Sequence, residues 1–303
     1  SGGVHASLLS HNIGTPPVML LGSDEVRREM VPPVLAGEQI SALAITEPSG
    51  GSDVAAIRTA ARRDGDEYVV NGEKTFITSG MRADWITVAL RTRPEARGAD
   101  GLSLLLVPGD SRGLQRSELK KMGWWASDTA HLSFENVRVP ARYLLGKEGS
   151  GFRSVMHNFN GERFGIAAST LGFAEACFDE ALAWAQQRKT FGKTLVQHQV
   201  VRHKLVDMQQ RIRATAAWLE ELAARADAGD TGSDWVGAVS ILKNQYTQAM
   251  QFCADAGVQI LGGMGYMRGT VCERIYREVK VLTIGGGAED IMKELAARQW
   301  GIA

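Results

Sequence analysis

Two short runs place hydroxyl side chains next to apolar ones in a way that suits ligand binding: ITEPSGGSD at residues 45–53 and KTFITSG at residues 74–80. In the first, Thr46 follows Leu43 and Ile45; in the second, Thr78 follows Phe76 and Ile77. Strands rich in β-branched and aromatic residues present alternate side chains to two faces and stop at Pro or Gly clusters. Both runs read as such strands. Two edges of this kind offer hydroxyl donors against apolar walls, a lining that suits a flat heterocycle with a polar rim. Either run alone reads as an ordinary strand and turn.

Three further segments carry groups with chemical potential. RKTFGK at residues 188–193 follows a long helical stretch, and the fork of Arg188 matches the paired oxygens of a diphosphate. Arg188 and Lys189 would equally complement the dipole of a helix C-terminus. Gly285, Gly286 and Gly287 precede a helix that begins near Ala288, so their backbone N–H groups suit an anion or a polarised carbonyl. Glu162 lies in NFNGER (158–163), three residues after Phe159 and four before Ile166, on an apolar helical stripe. Glutamates in helices are ordinarily solvated. A carboxylate on an inward face is better suited to proton abstraction than to structure.

Composition narrows the class of protein. The chain has 303 residues, 44% hydrophobic and 22% charged, with 34 basic residues balancing 34 acidic ones. That describes a globular protein with two or three packed layers. No basic excess marks a nucleic-acid binder, and a patch at Arg58, Arg62 and Arg63 reads as a solvated face. Cys177, Cys253 and Cys272 are odd in number and widely spaced, so they read as buried apolar residues of a reducing compartment. Six scattered histidines show no HExxH-like pairing, and no metal site is expected. No apolar run reaches the roughly 20 residues that span a bilayer. No signal-like opening is present either, so a cytoplasmic or organelle-matrix location and no membrane partner are expected.

The elements that must position these groups fall into three stretches. Residues 1–39 look helical, interrupted at Thr15-Pro16-Pro17, with Ser23 capping a helix that starts Asp24-Glu25. Residues 40–145 are β: EYVVNGEKTFIT, DWITVALRT, GLSLLLVP and TAHLSFENVRVP are separated by Gly, Asp, Asn and Pro. Asp64-Gly65-Asp66 and Asn71-Gly72 both read as tight hairpin turns. Residues 146–303 are helical. One stripe runs Met156, Phe159, Ile166, Phe173, Cys177 and Trp184; a second runs Val201, Leu205, Met208, Ile212, Thr215, Leu219 and Leu222. A third runs Val239, Leu242, Tyr246, Ala249, Cys253, Ala256 and Ile260, between a Ser233 N-cap and a stop at Gly262-Gly263. Such spacing predicts long antiparallel helices of a bundle, and core packing accounts for nearly all of it.

Taken together and in this order, ITEPSGGSD, KTFITSG, RKTFGK, QILGGMGY (259–266) and IGGGAEDIMKE (284–294) resemble the acyl-CoA dehydrogenase family along the whole chain. The resemblance implies an α+β fold: the end of an N-terminal helical domain (1–39), a middle β-barrel or sandwich domain (40–145) and a C-terminal four-helix bundle (146–303). Ser1 then falls well inside the family's N-terminal domain, which implies a truncated or trimmed form.

The resemblance also implies FAD. Leu43, Ile45 and Thr46 would line one edge of its ring system, with Thr46 toward the N1/O2 side. Phe76 would pack at the dimethylbenzene end, where many relatives have Trp, and Thr78 would donate to N5. Arg188 and Phe191 would reach the FAD of a neighbouring subunit, with Gln259 and Gly263 on the same moiety, so the protein is expected to be a homo-oligomer, dimer or tetramer. Many relatives carry Glu-Gly-Thr where this chain has Gly286, Gly287 and Ala288. Branches resembling isovaleryl- and long-chain acyl-CoA dehydrogenases instead place the base in the first bundle helix, which assigns it to Glu162. The Gly286 N–H would polarise the thioester, while Asn160, Arg163 and Ser52 would contact the CoA part. The implied reaction converts an acyl-CoA to the trans-2-enoyl-CoA, with an electron-transfer flavoprotein as acceptor. A flavin monooxygenase on the same fold is the alternative, and Glu162 argues against it. A non-catalytic, DNA-associated relative is disfavoured by the balanced charge.

Overall fold

The computed structural model describes residues 2–96 and 98–302, without the side chains of residues 152–158. The chain divides into two compact units, residues 1–159 and 160–303. The first opens with helices α1 (Gly2–Gly14), α2 (Pro16–Leu21) and α3 (Asp24–Leu35). Pro16 and Pro17 occupy the first turn of α2, where a missing N–H costs no helical bond. Ser23 caps α3, its hydroxyl accepting from the Val26 N–H at 3.3 Å. Val26, Met30 and Val34, spaced by four, join the core of the β-sheet.

That sheet comprises β1 (Ser41–Ala44), β2 (Ala60–Asp64), β3 (Glu67–Thr78), β4 (Trp85–Arg91), β5 (Leu102–Pro108), β6 (Leu114–Glu118), β7 (Thr129–Pro140) and β8 (Leu144–Leu145). The spatial order is β6-β7-β3-β2-β4-β5-β8, with β1 paired in parallel to β4. β4 and β5 are buried on both faces, as their mostly apolar sequences require, with Thr87 and Ser103 the buried polar members.

Gly65-Asp66 forms the tight β2–β3 hairpin, with Asp64 opposite Glu67. The second expected turn is absent. Asn71-Gly72 lies inside β3, where the β3–β7 register shifts between Val70 and Gly72. Gly72 has φ +139°, and a Cβ there would meet the Thr59 Cα at 2.6 Å. Glycine therefore serves a bulge and a close strand approach, while the Asn71 side chain bonds Asn136 of β7.

The second unit is helical apart from the short pair β9 (Lys189–Thr190) and β10 (Lys193–Thr194). Helix α4 (Gly151–Gln187) enters it from the first unit. It is followed by α5 (Gln199–Asp227), α6 (Ser233–Leu261), α7 (Gly263–Tyr266), α8 (Val271–Ile284) and α9 (Glu289–Gln299). The α6 stripe from Val239 to Ile260 is buried throughout, and α5 buries Leu205, Met208, Ile212, Thr215 and Leu222 as its spacing predicts. Gly262, at φ +62°, ends α6.

Two details differ from expectation. Gly232, not Ser233, occupies the N-cap position of α6, and no side chain bonds there. On α4 the buried face is Ala167, Thr170, Ala174, Cys177, Ala181 and Ala185, whereas Ile166, Phe173 and Trp184 are only partly buried. Small residues permit close helix approach, so the seam follows Ala and Thr rather than the bulkier side chains. The Met156 member of the expected stripe lies outside the described side chains. Glu180 of α4 caps α8, its carboxylate accepting from Val271 and Cys272 N–H at 2.8 and 2.7 Å. Among the described residues no helix is long and apolar enough to cross a membrane.

Candidate active site

In the first unit, β1 ends at Ala44, so Ile45 and Thr46 lie just past the strand rather than within it. Leu43 and Thr46 are partly accessible and Ile45 is buried. On β3 the register to β7 jumps from Lys74–Leu132 to Ile77–Ala130, leaving Thr75 and Phe76 opposite a single residue. This bulge releases the Thr75 N–H to the Thr46 carbonyl at 2.9 Å, joining the two hydroxyl-bearing segments. Phe76 takes φ +61° and is 68% exposed, while Ile77 is buried and Thr78 partly accessible. An outward aromatic ring on the segment that carries Thr78, joined by backbone to the segment that carries Thr46, fits a flat, polar-rimmed group. Ser52 lies exposed in the loop after Thr46.

Beneath these segments lies a buried ion pair that the sequence reading did not single out. Lys74 Nζ donates to the Ile45 carbonyl at 2.8 Å and to Glu47 Oε1 at 2.9 Å. Glu47 also accepts from the Arg58 and Thr59 N–H groups, both at 2.8 Å. Burial lowers Lys74 to about 8 against the opposing pull of Glu47. Burial acts to raise Glu47, but Lys74 and the N–H donors hold it below the usual carboxylate range. A charge in each run, one residue after Thr46 and four before Thr78, was the available signal.

In the second unit, β9 and β10 form a hairpin whose two turn residues, Phe191 (φ +49°) and Gly192 (φ +80°), are both left-handed. Phe191 is 96% exposed, with a T-shaped contact to His198. Arg188, at the hairpin base, Gln259, in the last turn of α6, and Gly263, which opens α7, are all exposed. The hairpin thus presents a basic group and an aromatic ring to solvent, and the α6–α7 junction presents an amide.

Glu162 and Gly286 belong to two neighbouring segments of this unit. Arg163 is buried, and its Nε donates to the Gly286 carbonyl at 3.0 Å while Nη1 donates to Asn160 Oδ1 at 3.0 Å. Glu162 is partly accessible. Burial pushes its carboxyl up to about 8, against the lowering influence of Arg163. Gly286 has φ +69°, and a Cβ there would meet Ile166 Cδ1 at 2.9 Å and Arg163 Cγ at 3.9 Å. A side chain at 286 would thus point at the turn of α4 that carries Glu162.

Lys243 of α6 completes the loop contacts. It is fully buried and donates to the carbonyls of Thr283 at 3.1 Å and Gly287 at 2.8 Å. Burial lowers it to about 8, with Glu289 opposing and Arg163 adding to the shift. Its signal in the sequence was isolation: no other charge lies between Asp234 and Asp255.

Comparison with known proteins bears on both units. The family model described as "Acyl-CoA dehydrogenase, middle domain" matches residues 42–137, and that described as "Acyl-CoA dehydrogenase, C-terminal domain" matches residues 149–301. A cyclohexane-1-carbonyl-CoA dehydrogenase of Geobacter metallireducens is 37% identical over 96% of this chain and 76% of its own length. The mitochondrial long-chain specific acyl-CoA dehydrogenase of Mus musculus is 38% identical over 96% of this chain and 67% of its own. The crystal structure of a probable acyl-CoA dehydrogenase from Mycobacterium abscessus superposes with a TM-score of 0.96 at 46% identity, covering 99% of this chain and 79% of that one.

Proposed function

The chain belongs to the acyl-CoA dehydrogenase family, and from that premise we propose which of its residues carry the FAD-dependent α,β-dehydrogenation of an acyl-CoA thioester. Glu162 is the base that takes the α-proton. The observation behind this assignment is its carboxyl, pushed up to about 8 by burial and placed on the turn of α4 tied through Arg163 to the Gly286 loop. A base with a pKa near the working pH combines an adequate fraction of carboxylate with real proton affinity. Position 286 points at that same turn, so the carboxylate other members carry in the loop and the one carried here on the helix serve one proton.

The Gly286 N–H donates to the thioester oxygen, where negative charge develops as the α-proton leaves. That role needs only backbone. Arg163 orients the loop and, with Asn160 and Ser52, contacts the CoA portion. Leu43, Ile45, Thr46, Phe76 and Thr78 hold the FAD ring, with Thr78 donating to N5. When bound, the FAD accepts the β-hydride. Arg188, Phe191, Gln259 and Gly263 bind the FAD of a second copy of the chain, so the enzyme acts as a homo-oligomer; the exposure of these residues in the single chain supports the reading. An electron-transfer flavoprotein is the acceptor, and the reaction takes place in the cytoplasm or a mitochondrial matrix.

Anaerobic titration of the FAD-loaded protein with butyryl-, isovaleryl- and palmitoyl-CoA tests the function. Bleaching of the flavin band by at least one thioester is expected. A protein that holds FAD yet is bleached by none would overturn the proposal.

A further inference from the structure

Lys243 is fully buried and donates to two carbonyls, that of Thr283 in the last turn of α8 and that of Gly287 in the glycine loop that follows. Between those two carbonyls the loop is held twice more. The Gly285 N–H donates to the Val281 carbonyl at 2.7 Å, and the Gly286 carbonyl accepts from Arg163 at 3.0 Å. The peptide bearing the Gly286 N–H therefore has a pinned neighbour on either side. Among the described residues that N–H meets no acceptor, so it is available to a ligand.

A buried ammonium is costly to desolvate, and an apolar side chain of similar volume would often serve stability as well. We propose that Lys243 is a positioning residue for the dehydrogenation: by holding the Thr283 and Gly287 carbonyls it fixes the glycine loop so that the Gly286 N–H meets the thioester oxygen. The inference rests on the function proposed above. Three donors on a compact head let one lysine bind two carbonyls four residues apart, which methionine, with no donor, cannot do. The left-handed Gly286 and Gly287 have no side chains to brace them, so the loop depends on these outside contacts.

Lys243→Met in the FAD-loaded full chain tests the idea, because it keeps volume and removes the donors. A misplacement near 1 Å costs roughly 10²-fold in rate, so kcat should fall about 10- to 100-fold while KM stays within about threefold and FAD content is unchanged. A second readout does not depend on turnover. A 3-thia-acyl-CoA of matching chain length loses its α-proton on a polarising site, and the carbanion gives long-wavelength absorption beside oxidised flavin. That band should weaken in the variant. A residue of merely structural importance would lower the melting temperature and leave both kcat and the band intact, and that result would overturn the proposal. If Lys243→Met does not fold, Lys243→Gln, which keeps one donor group, is read in the same way: a smaller loss of kcat is expected, and parent-like kcat overturns the idea. A parent that no thioester reduces would remove the function itself and the proposal with it, before any variant is made.

Discussion

Exchanging Glu47 for glutamine removes one charge beneath both hydroxyl-bearing segments while keeping side-chain size. The carboxylate accepts from three donors: the Arg58 N–H, the Thr59 N–H and Lys74 Nζ. A glutamine has one oxygen and one NH2, so at least one of those donors faces another donor, at about 1–3 kcal/mol for an unsatisfied group. Lys74, 0% exposed, also loses its counter-charge. Breaking a buried pair in this way costs about 3–5 kcal/mol. Deprotonation of Lys74 sets a ceiling on that part: bringing an ammonium of ordinary pKa 10.5 to its neutral form at pH 7 costs about 4.8 kcal/mol. We expect a net loss of about 4 kcal/mol, or roughly 8–16 °C in melting temperature for a unit of this size. Thermal denaturation, with released FAD followed by fluorescence, measures both effects, and FAD should dissociate before the protein melts. Adding Lys74→Met should recover about 2 kcal/mol, since the stranded charge is gone. A single variant that melts within about 2 °C of the parent and keeps its FAD would refute the reasoning.

Three further outcomes are expected. The pH dependence of flavin reduction should follow Glu162: the carboxylate is the active form, so the rate at low substrate rises with pH through about 8 and then levels, and a flat profile between pH 6 and 9 would exclude Glu162 as the titrating base. The linked stability runs the other way. A carboxyl at 4.5 unfolded and about 8 folded contributes stability that is complete below 4.5 and lost as pH rises through 8, so Glu162→Gln should gain on the parent in urea midpoint between pH 5 and pH 9. Arg188→Glu should weaken FAD retention, because like charges a few Å apart cost on the order of a few kcal/mol at partly buried sites; a monomer by light scattering that binds FAD normally would refute the shared-site reading.

The sequence carried the fold at the points where pattern and physics coincide. Ser23, Pro16-Pro17 and Gly262 mark helix ends by local chemistry alone, and the α5 and α6 stripes became buried faces because medium-sized apolar residues recur there without competition. Where two readings of one residue were physically possible, tertiary contacts decided. Asn71-Gly72 has the composition of a hairpin turn, yet Thr59, just before β2, and Asn136 on β7 make it a bulge. On α4 the buried positions went to Ala167, Ala174 and Ala181 rather than Phe173 and Trp184, which stay partly accessible. At the candidate site residue type and spacing singled out the hydroxyls, Glu162 and the glycine loop, and the family resemblance supplied the roles expected of them. The residues that hold them, Glu47, Lys74 and Lys243, were not, because their partners are backbone carbonyls and N–H groups distant in sequence.

Whether Glu162 takes the α-proton is decided by single-turnover flavin reduction in Glu162→Gln. The substitution keeps size, leaves Arg163 its contacts to Asn160 and Gly286, and removes the proton acceptor. The variant should keep full FAD content and bind thioester within about threefold of the parent, while its reduction rate falls by at least roughly 10²–10⁴-fold. A variant that reduces its flavin with the preferred acyl-CoA at near the parent rate would contradict that role and leave Glu162 an ordinary helix residue.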